Sequence, residues 1–382
     1  MKCGYGVLMI SFLWVSPLFG QTDSVKFDQI TRRGIDYVYN LEFDNAEREF
    51  SELVRLQPRH PAGHFFLAMV QWWRILVDIE NTQHDDDFLD ALERVIDLCD
   101  EILDQEKDNV TALFFKGGAL GFQGRLRFHR DSWLGAANAG RKALPLVQDA
   151  SRFDPNNYDI FLGTGIYNYY AAVIPEQYPF TKPLLLFVPP GDRKKGIEQL
   201  TIAAENGKYA SVEATYVLMQ LNYLYEKNYS EALTLATRLN SRFPNNMLFH
   251  KYLGRCYVSL NNWPKVEEVY TEILARVHRG QPGYNALTER EGVYYLGLCE
   301  MNKGRFDSAL KHFYRCDELS RTLDASEPSG FMVMANLKVG NIYDAQAKRD
   351  LAVVQYEKVL NLKEYKDSHK QAERFLNAPY FR

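Results

Sequence analysis

One spacing of small and aromatic residues returns through most of this chain and leaves few folds open to it. Gly34, Tyr37, Phe43, Ala46, Phe50, Leu53 and Pro58 stand at offsets 0, 3, 9, 12, 16, 19 and 24 from the glycine. Much of that frame comes back with Gln220 in the glycine slot, followed by Tyr223, Tyr229, Ala232, Leu239 and Pro244. Gly254 lies 34 positions after Gln220 and opens another copy through Tyr257, Trp263, Tyr270 and Ile273. Gly297, Phe306, Ala309, Phe313 and Cys316 form the next, and Gly340, Tyr343, Ala352, Tyr356 and Val359 the last. A helical hairpin of this kind cannot bury its apolar face alone, so copies must stack. The small positions let helices approach closely, the aromatics fill the space between hairpins, and the proline starts the connection because it cannot continue a helix.

A period of about 34 residues with small, aromatic and proline slots resembles the tetratricopeptide repeat superfamily. The resemblance implies an all-α fold, an α-solenoid of about eight stacked hairpins with a C-terminal capping helix. Hairpins are expected over about 26–57, 62–105 and 109–152, then a split one with helices near 156–173 and 192–206, and a regular array from about 210 to 361. Asp108 and Asn109 suit a turn between helices, and His84 to Asp87 suits a helix start, where carboxylates meet the positive end of the dipole. A last helix near 366–377 would cap the open end. The organisation read here is therefore a leader over 1–20, irregular repeats over 21–208 and a regular array with its cap over 209–382.

The fourth hairpin is interrupted by residues 175–191, which carry five prolines and the apolar run Leu184 to Val188. Such a loop either packs over its own helices or meets a partner. Gly163-Thr-Gly165-Ile-Tyr167, Pro175, Gly191-Asp192-Arg193 and Gly196 resemble the central segment of the tetratricopeptide repeat protein 39 family. That likeness implies helical repeats and an association role, with no active site.

Location is read from the N-terminus. Lys2, an apolar run through Val15, then Pro17 and Gly20 follow the order of a secretory signal, with cleavage expected after Gly20. The protein is thus expected to be exported, periplasmic or secreted; an uncleaved segment over residues 3–20 would instead anchor it to a membrane. The net charge of −4 gives no support to a nucleic-acid partner, which would favour a basic stripe. Cys99, Cys256, Cys299 and Cys316 occupy apolar repeat slots and no CxxC pair exists, so neither a disulfide framework nor a zinc site is expected.

The search for catalytic groups yields turns. Gly163-Thr-Gly165 lacks the later glycine of a dinucleotide loop, and Pro190 to Gly196 lacks the ending of a phosphate loop. His129-Arg130-Asp131 imitates a kinase catalytic loop, but Ala136 stands where the metal-binding asparagine should be. No catalytic residue, cofactor or metal site is assigned. By the family resemblance, the concave groove receives Lys251, Arg255 and Val258, then Tyr294, Leu298 and Met301, then Leu337, Asn341 and Asp344. Lys251, Arg255, Tyr294 and Asn341 are taken as protein-binding positions, although Lys251 and Arg255 could equally pair with a glutamate such as Glu291. Trp72 and Trp73 read as core residues.

The expected function is a non-catalytic scaffold for a protein or peptide. The alternative is a glycan or small-ligand binder that uses residues 160–190 with Tyr167, Tyr169 and Tyr170, and the third reading is an enzyme with an unrecognised site. A ligand-sized aromatic pocket beneath 175–190 would favour the binder, and an open groove the scaffold.

Overall fold

The structure, a computed structural model, describes residues 19–185, 189–324 and 327–380. Among the described residues, seventeen α-helices pair into eight hairpins with one helix left over. The first three hairpins are α1 (Phe19–Tyr39) with α2 (Phe43–Leu56), α3 (Pro61–Val77) with α4 (Asp85–Gln105), and α5 (Val110–His129) with α6 (Trp133–Phe153). Next come α7 (Ile160–Gln177) with α8 (Arg193–Asn206) and α9 (Ser211–Leu221) with α10 (Tyr229–Arg242), the latter two joined by a π-helical segment over Asn222–Glu226. The array ends with α11 (Met247–Ser259) and α12 (Trp263–His278), α13 (Ala286–Asn302) and α14 (Phe306–Leu323), α15 (Gly330–Ala345) and α16 (Arg349–Leu360), then α17 (Ser368–Asn377). Helix starts follow local chemistry: Asn109 accepts from the Ala112 amide at 3.0 Å, and Asp85, Asp86 and Asp87 fill the first turn of α4.

The repeat slots have a sharper meaning than the spacing alone conveys. The glycine is small because the aromatic sixteen positions later, on the second helix of the same hairpin, lies on it. A Cβ on Gly34, Gly254, Gly297 or Gly340 would come within 2.3, 2.8, 2.8 or 2.6 Å of the ring of Phe50, Tyr270, Phe313 or Tyr356. Those rings therefore cover the glycine of their own hairpin and also reach the next element, Phe50 stacking on Phe66 at 5.1 Å and Tyr270 on Tyr295 at 4.8 Å. Where Gln220 replaces the glycine, the residue sixteen later is Ala236, so the bulk has moved across the pair. Trp72 and Trp73 are fully buried, as expected for core residues.

A simple solenoid touches only its neighbours, yet the first hairpin here meets the fifth and sixth. Asp28 accepts from Tyr209 Oη at 2.7 Å and pairs with Lys208 at 2.8 Å. Arg242 pairs with Asp36 at 2.9 Å, and the buried Asn246 donates to the Tyr39 carbonyl at 2.9 Å. The ring of Tyr39 packs on Phe243 at 5.4 Å and Trp73 on Phe249 at 5.7 Å. The leading hairpins thus curl through one tight turn and close on themselves. A single apolar core runs from Ile30 to Cys299, with no break at residue 209.

His250 lies beneath this closure, 5% exposed, with Nδ1 at 3.1 Å from Tyr284 Oη. Burial, then the charge of Arg276, pushes its pKa down from 6.5 to about 4. The folded chain accepts this proton later than the unfolded chain does, so stability is full above pH 6.5 and falls as pH drops toward 4. Between those limits His250→Gln should lose less stability than the parent, by a gap on the order of 2–3 kcal/mol. Urea melts at pH 7 and at pH 4.5 would show this gap; parallel losses in the two proteins would refute it.

Candidate functional site

The first helices of the leading five hairpins, α1, α3, α5, α7 and α9, face inward. Ring closure turns their concave face into a channel of about 400 Å³. Its walls are aromatic, with Phe65, Trp73, Phe115, Phe122, Trp133 and Tyr170 among them. One side of α5 is bare by sequence: Gly117, Gly121 and Gly124 recur at helical spacing, although each interior glycine costs about 1 kcal/mol relative to alanine. Gly117 and Gly124 have packing reasons, because an added Cβ would meet Val147 at 2.6 Å or Ala139 at 3.3 Å. Gly121 and, on α6, Gly140 have open space where a Cβ would point, and both line the channel.

A single buried ion pair interrupts the apolar wall. Arg125 Nη1 donates to Glu213 Oε1 at 2.6 Å, joining α5 to α9, and Tyr39 Oη donates to Glu213 Oε2 at 3.2 Å. The Arg125 guanidinium carbon also stands 4.9 Å from the Trp72 ring centre and 5.1 Å from that of Phe122. His129 borders the same space. Partial desolvation, then the charges of Arg125 and Arg130, hold its pKa below the usual value, which favours the neutral ring at pH 7. None of these residues was singled out as a site from sequence. The glycine spacing on α5 was the available signal, whereas Arg125 and Glu213 stand 88 residues apart with no motif linking them.

The interrupted hairpin supplies one end of the channel. Pro179–Leu185 forms a 3-10 helix, and Trp133 meets Tyr178 at a tilt and Phe180 edge-on, at 5.0 and 5.2 Å between ring centres. Thr181 is buried in the lining. Phe180 is 60% exposed, an aromatic left at the rim. Gly191 holds the returning chain against α7, where an added Cβ would stand 2.2 Å from the Asn168 carbonyl oxygen. The described part of the loop therefore packs on its own helices, while the side chains of Leu184 to Val188 lie outside the described residues. The three tyrosines separate: Tyr167 donates to the Pro189 carbonyl at 2.6 Å, Tyr169 is buried against Glu226, and Tyr170 faces the channel.

The four positions assigned to the C-terminal groove have different surroundings. Lys251 and Arg255 are drawn onto Glu291, with Nζ of Lys251 at 3.8 Å and the Arg255 Nε donating at 2.7 Å. Tyr270 Oη donates to the same carboxylate at 3.0 Å. Asn341 is buried at 1% exposure, and Tyr294 packs on Phe331 and Phe313 at 5.3 and 5.9 Å. Lys251 and Arg255 are thus not free basic side chains; the pairing with Glu291 is the arrangement present. Further along, Asp344 accepts from Arg349, Tyr356 and the Tyr380 amide, so the C-terminal segment covers the last hairpin.

His129-Arg130-Asp131 forms the turn between α5 and α6, with Asp131 at φ 54° and Arg130 bonded to Asp85. The four described cysteines are free and buried; burial pushes the thiols of Cys99, Cys256 and Cys316 up to about 12 and that of Cys299 up to about 11. Among the described residues no group of three potential metal ligands occurs, and no helix is long and apolar enough to cross a membrane.

Hairpins of two helices, glycine against aromatic and stacked in sequence order, define an α-solenoid of helix-turn-helix repeats. Residues 31–73 match the tetratricopeptide repeat family model, and the helical hairpins along the rest of the chain are repeats of similar form. No curated protein sequence matches it. Among solved structures, the human IFIT1 dimer with m7Gppp-AAAA aligns at a TM-score of 0.38 and 13% identity, covering 92% of this chain and 85% of that one. The yeast Tom70 crystal structure aligns at 0.27 and 13% identity, covering 94% and 96%. These matches do not confirm the likeness to the tetratricopeptide repeat protein 39 family.

Proposed function

We propose that this protein is an exported, non-catalytic binding scaffold whose ligand occupies the channel inside the N-terminal ring. Repeat scaffolds of this type suit protein partners in general. The observation that carries the narrower reading is the aromatic-walled space of about 400 Å³ beneath the interrupted hairpin, a volume in the range of small-molecule sites. The open groove has less support, because Lys251 and Arg255 are paired with Glu291 and Asn341 is buried. A glycan is disfavoured too, since most polar groups around the channel already have partners within the protein. Support for export rests on the order of residues 1–20; α1 begins at Phe19, so a cut after Gly20 would remove its first two residues. Mass measurement of the protein recovered from its native host should place the mature N-terminus at or near Gln21, and recovery of the intact chain would contradict this.

The channel is tested by filling it. Leucine at Gly121 or Gly140 meets open space at its Cβ and has the better helix propensity, so Gly121→Leu and Gly140→Leu should fold with a melting temperature at or above that of the parent. Both should reduce binding of the neutral fluorescent probe N-phenylnaphthylamine by about tenfold or more. Probe affinity unchanged in both variants would remove the channel from consideration.

A further inference from the structure

We infer that the channel takes an uncharged, largely apolar molecule bearing one hydrogen-bond-accepting oxygen, a ketone, ether or ester, and that this oxygen seats against Arg125. The inference rests on the reading of the channel as the binding site and adds the chemistry of its occupant.

The argument starts from which polar groups are still available. Glu213 has both oxygens engaged, one by Arg125 and one by Tyr39. Tyr167 is tied to the Pro189 carbonyl and Tyr209 to Asp28. Asp159 takes the backbone amides of Tyr209 and Ala210 at 3.0 Å each. Gln220 donates to Tyr216 at 3.0 Å. Arg125 differs from all of these. A guanidinium carries five N–H donors, and among the described residues only Nη1 has an acceptor. Its remaining donors lie on a side chain that lines the channel. A ligand oxygen can therefore be bound at Arg125 without displacing any bond the protein already makes.

Charge decides the rest. Arg125 and Glu213 neutralise each other, and the Asp159 carboxylate in the same lining is held by two backbone amides. A carboxylate brought to Arg125 would lie beside the Glu213 carboxylate in an apolar enclosure and would add a net charge there. An ammonium would lie close to the Arg125 guanidinium and would likewise add a net charge there. Desolvating either ion is expensive without a full partner, whereas a neutral oxygen requires only the donor that Arg125 holds ready. The aromatic walls then cover the apolar remainder of the molecule.

The test uses the full-length protein with bound N-phenylnaphthylamine, displaced by undecyl methyl ketone, dodecanoate, dodecylamine or tridecane at pH 7. The ketone should displace the probe at a concentration about tenfold below that of either charged ligand and below that of tridecane. The double substitution Arg125→Met with Glu213→Met removes both charges together, so neither is left buried alone. It should lose the preference for ketone over tridecane, read as the ratio of their displacing concentrations. Dodecanoate or dodecylamine competing as well as the ketone in the parent would overturn the inference while leaving the channel intact as a site. Equal displacement by ketone and tridecane would overturn it as well, because the oxygen would then contribute nothing. Should the double variant not fold, the four-ligand series on the parent decides alone. The channel reading itself fails separately, through unchanged probe binding in Gly121→Leu and Gly140→Leu.

Discussion

Replacing Lys251 and Arg255 together by glutamate will destabilise the protein by more than about 4 kcal/mol. Sequence reasoning that places these residues on an open groove leads to the opposite expectation, a loss of partner binding with stability nearly unchanged. The difference lies in Glu291, which is 1% exposed and accepts from Arg255 and from Tyr270 while Lys251 stands at 3.8 Å. Double reversal would bring three carboxylates together in a largely buried site, with Tyr270 as the one donor left from this cluster. Lys251→Met should behave very differently. Burial pulls the Lys251 pKa down to about 8 despite the attraction of Glu291, so the ammonium pays for its place. Removing it leaves the Arg255 pair with Glu291 whole, and the cost should stay within about 1 kcal/mol of zero. Urea denaturation of the two variants separates these outcomes; a double reversal that melts with the parent would show the cluster to be solvated.

The second large effect concerns Gly196, where helices α7 and α8 cross backbone to backbone. A Cβ there would stand 2.6 Å from the Tyr169 amide nitrogen and 2.9 Å from the Gly165 carbonyl oxygen, and no side-chain rotation relieves either contact. Gly196→Ala should therefore cost about 3 kcal/mol, the upper end of overpacking, by forcing the two helices apart. Gly297→Ala provides the contrast. Its Cβ would meet the Phe313 ring at 2.8 Å, a side chain that can tilt, and alanine recovers about 1 kcal/mol of helix propensity. Its net cost should be about 1 kcal/mol or less. Thermal melts of the pair decide whether backbone or ring is the obstacle, and equal losses would rule out the distinction. Because α7 is a channel wall, Gly196→Ala should also weaken probe binding, whereas Gly297→Ala should leave it unchanged.

The number of hairpins, their order and the capping helix were legible in the chain because each depends on residues close together. A glycine and the aromatic sixteen positions on are brought together within one hairpin, so the pattern that reveals the unit is also the contact that holds it. The same locality shows which face of a helix a residue lies on, and Lys251 and Arg255 do share one face of α11. It does not show what that face meets. Glu291 comes from the next hairpin, and only the packing of α11 on α13 covers the two cations.

The channel depends on longer distances still. Whether a solenoid stays open or closes is set by small rotations between successive hairpins, summed over five of them. The long helices of the second and third hairpins and the interruption of the fourth depart from the repeat and so carry no periodic signal. The sequence by itself determined a stack of helical hairpins with glycine and aromatic in register. Only the tertiary structure decided that Tyr39 meets Glu213, that Arg125 faces an enclosed space, and that the inner surface is a channel, because curvature accumulates along the chain while sequence patterns report on neighbours.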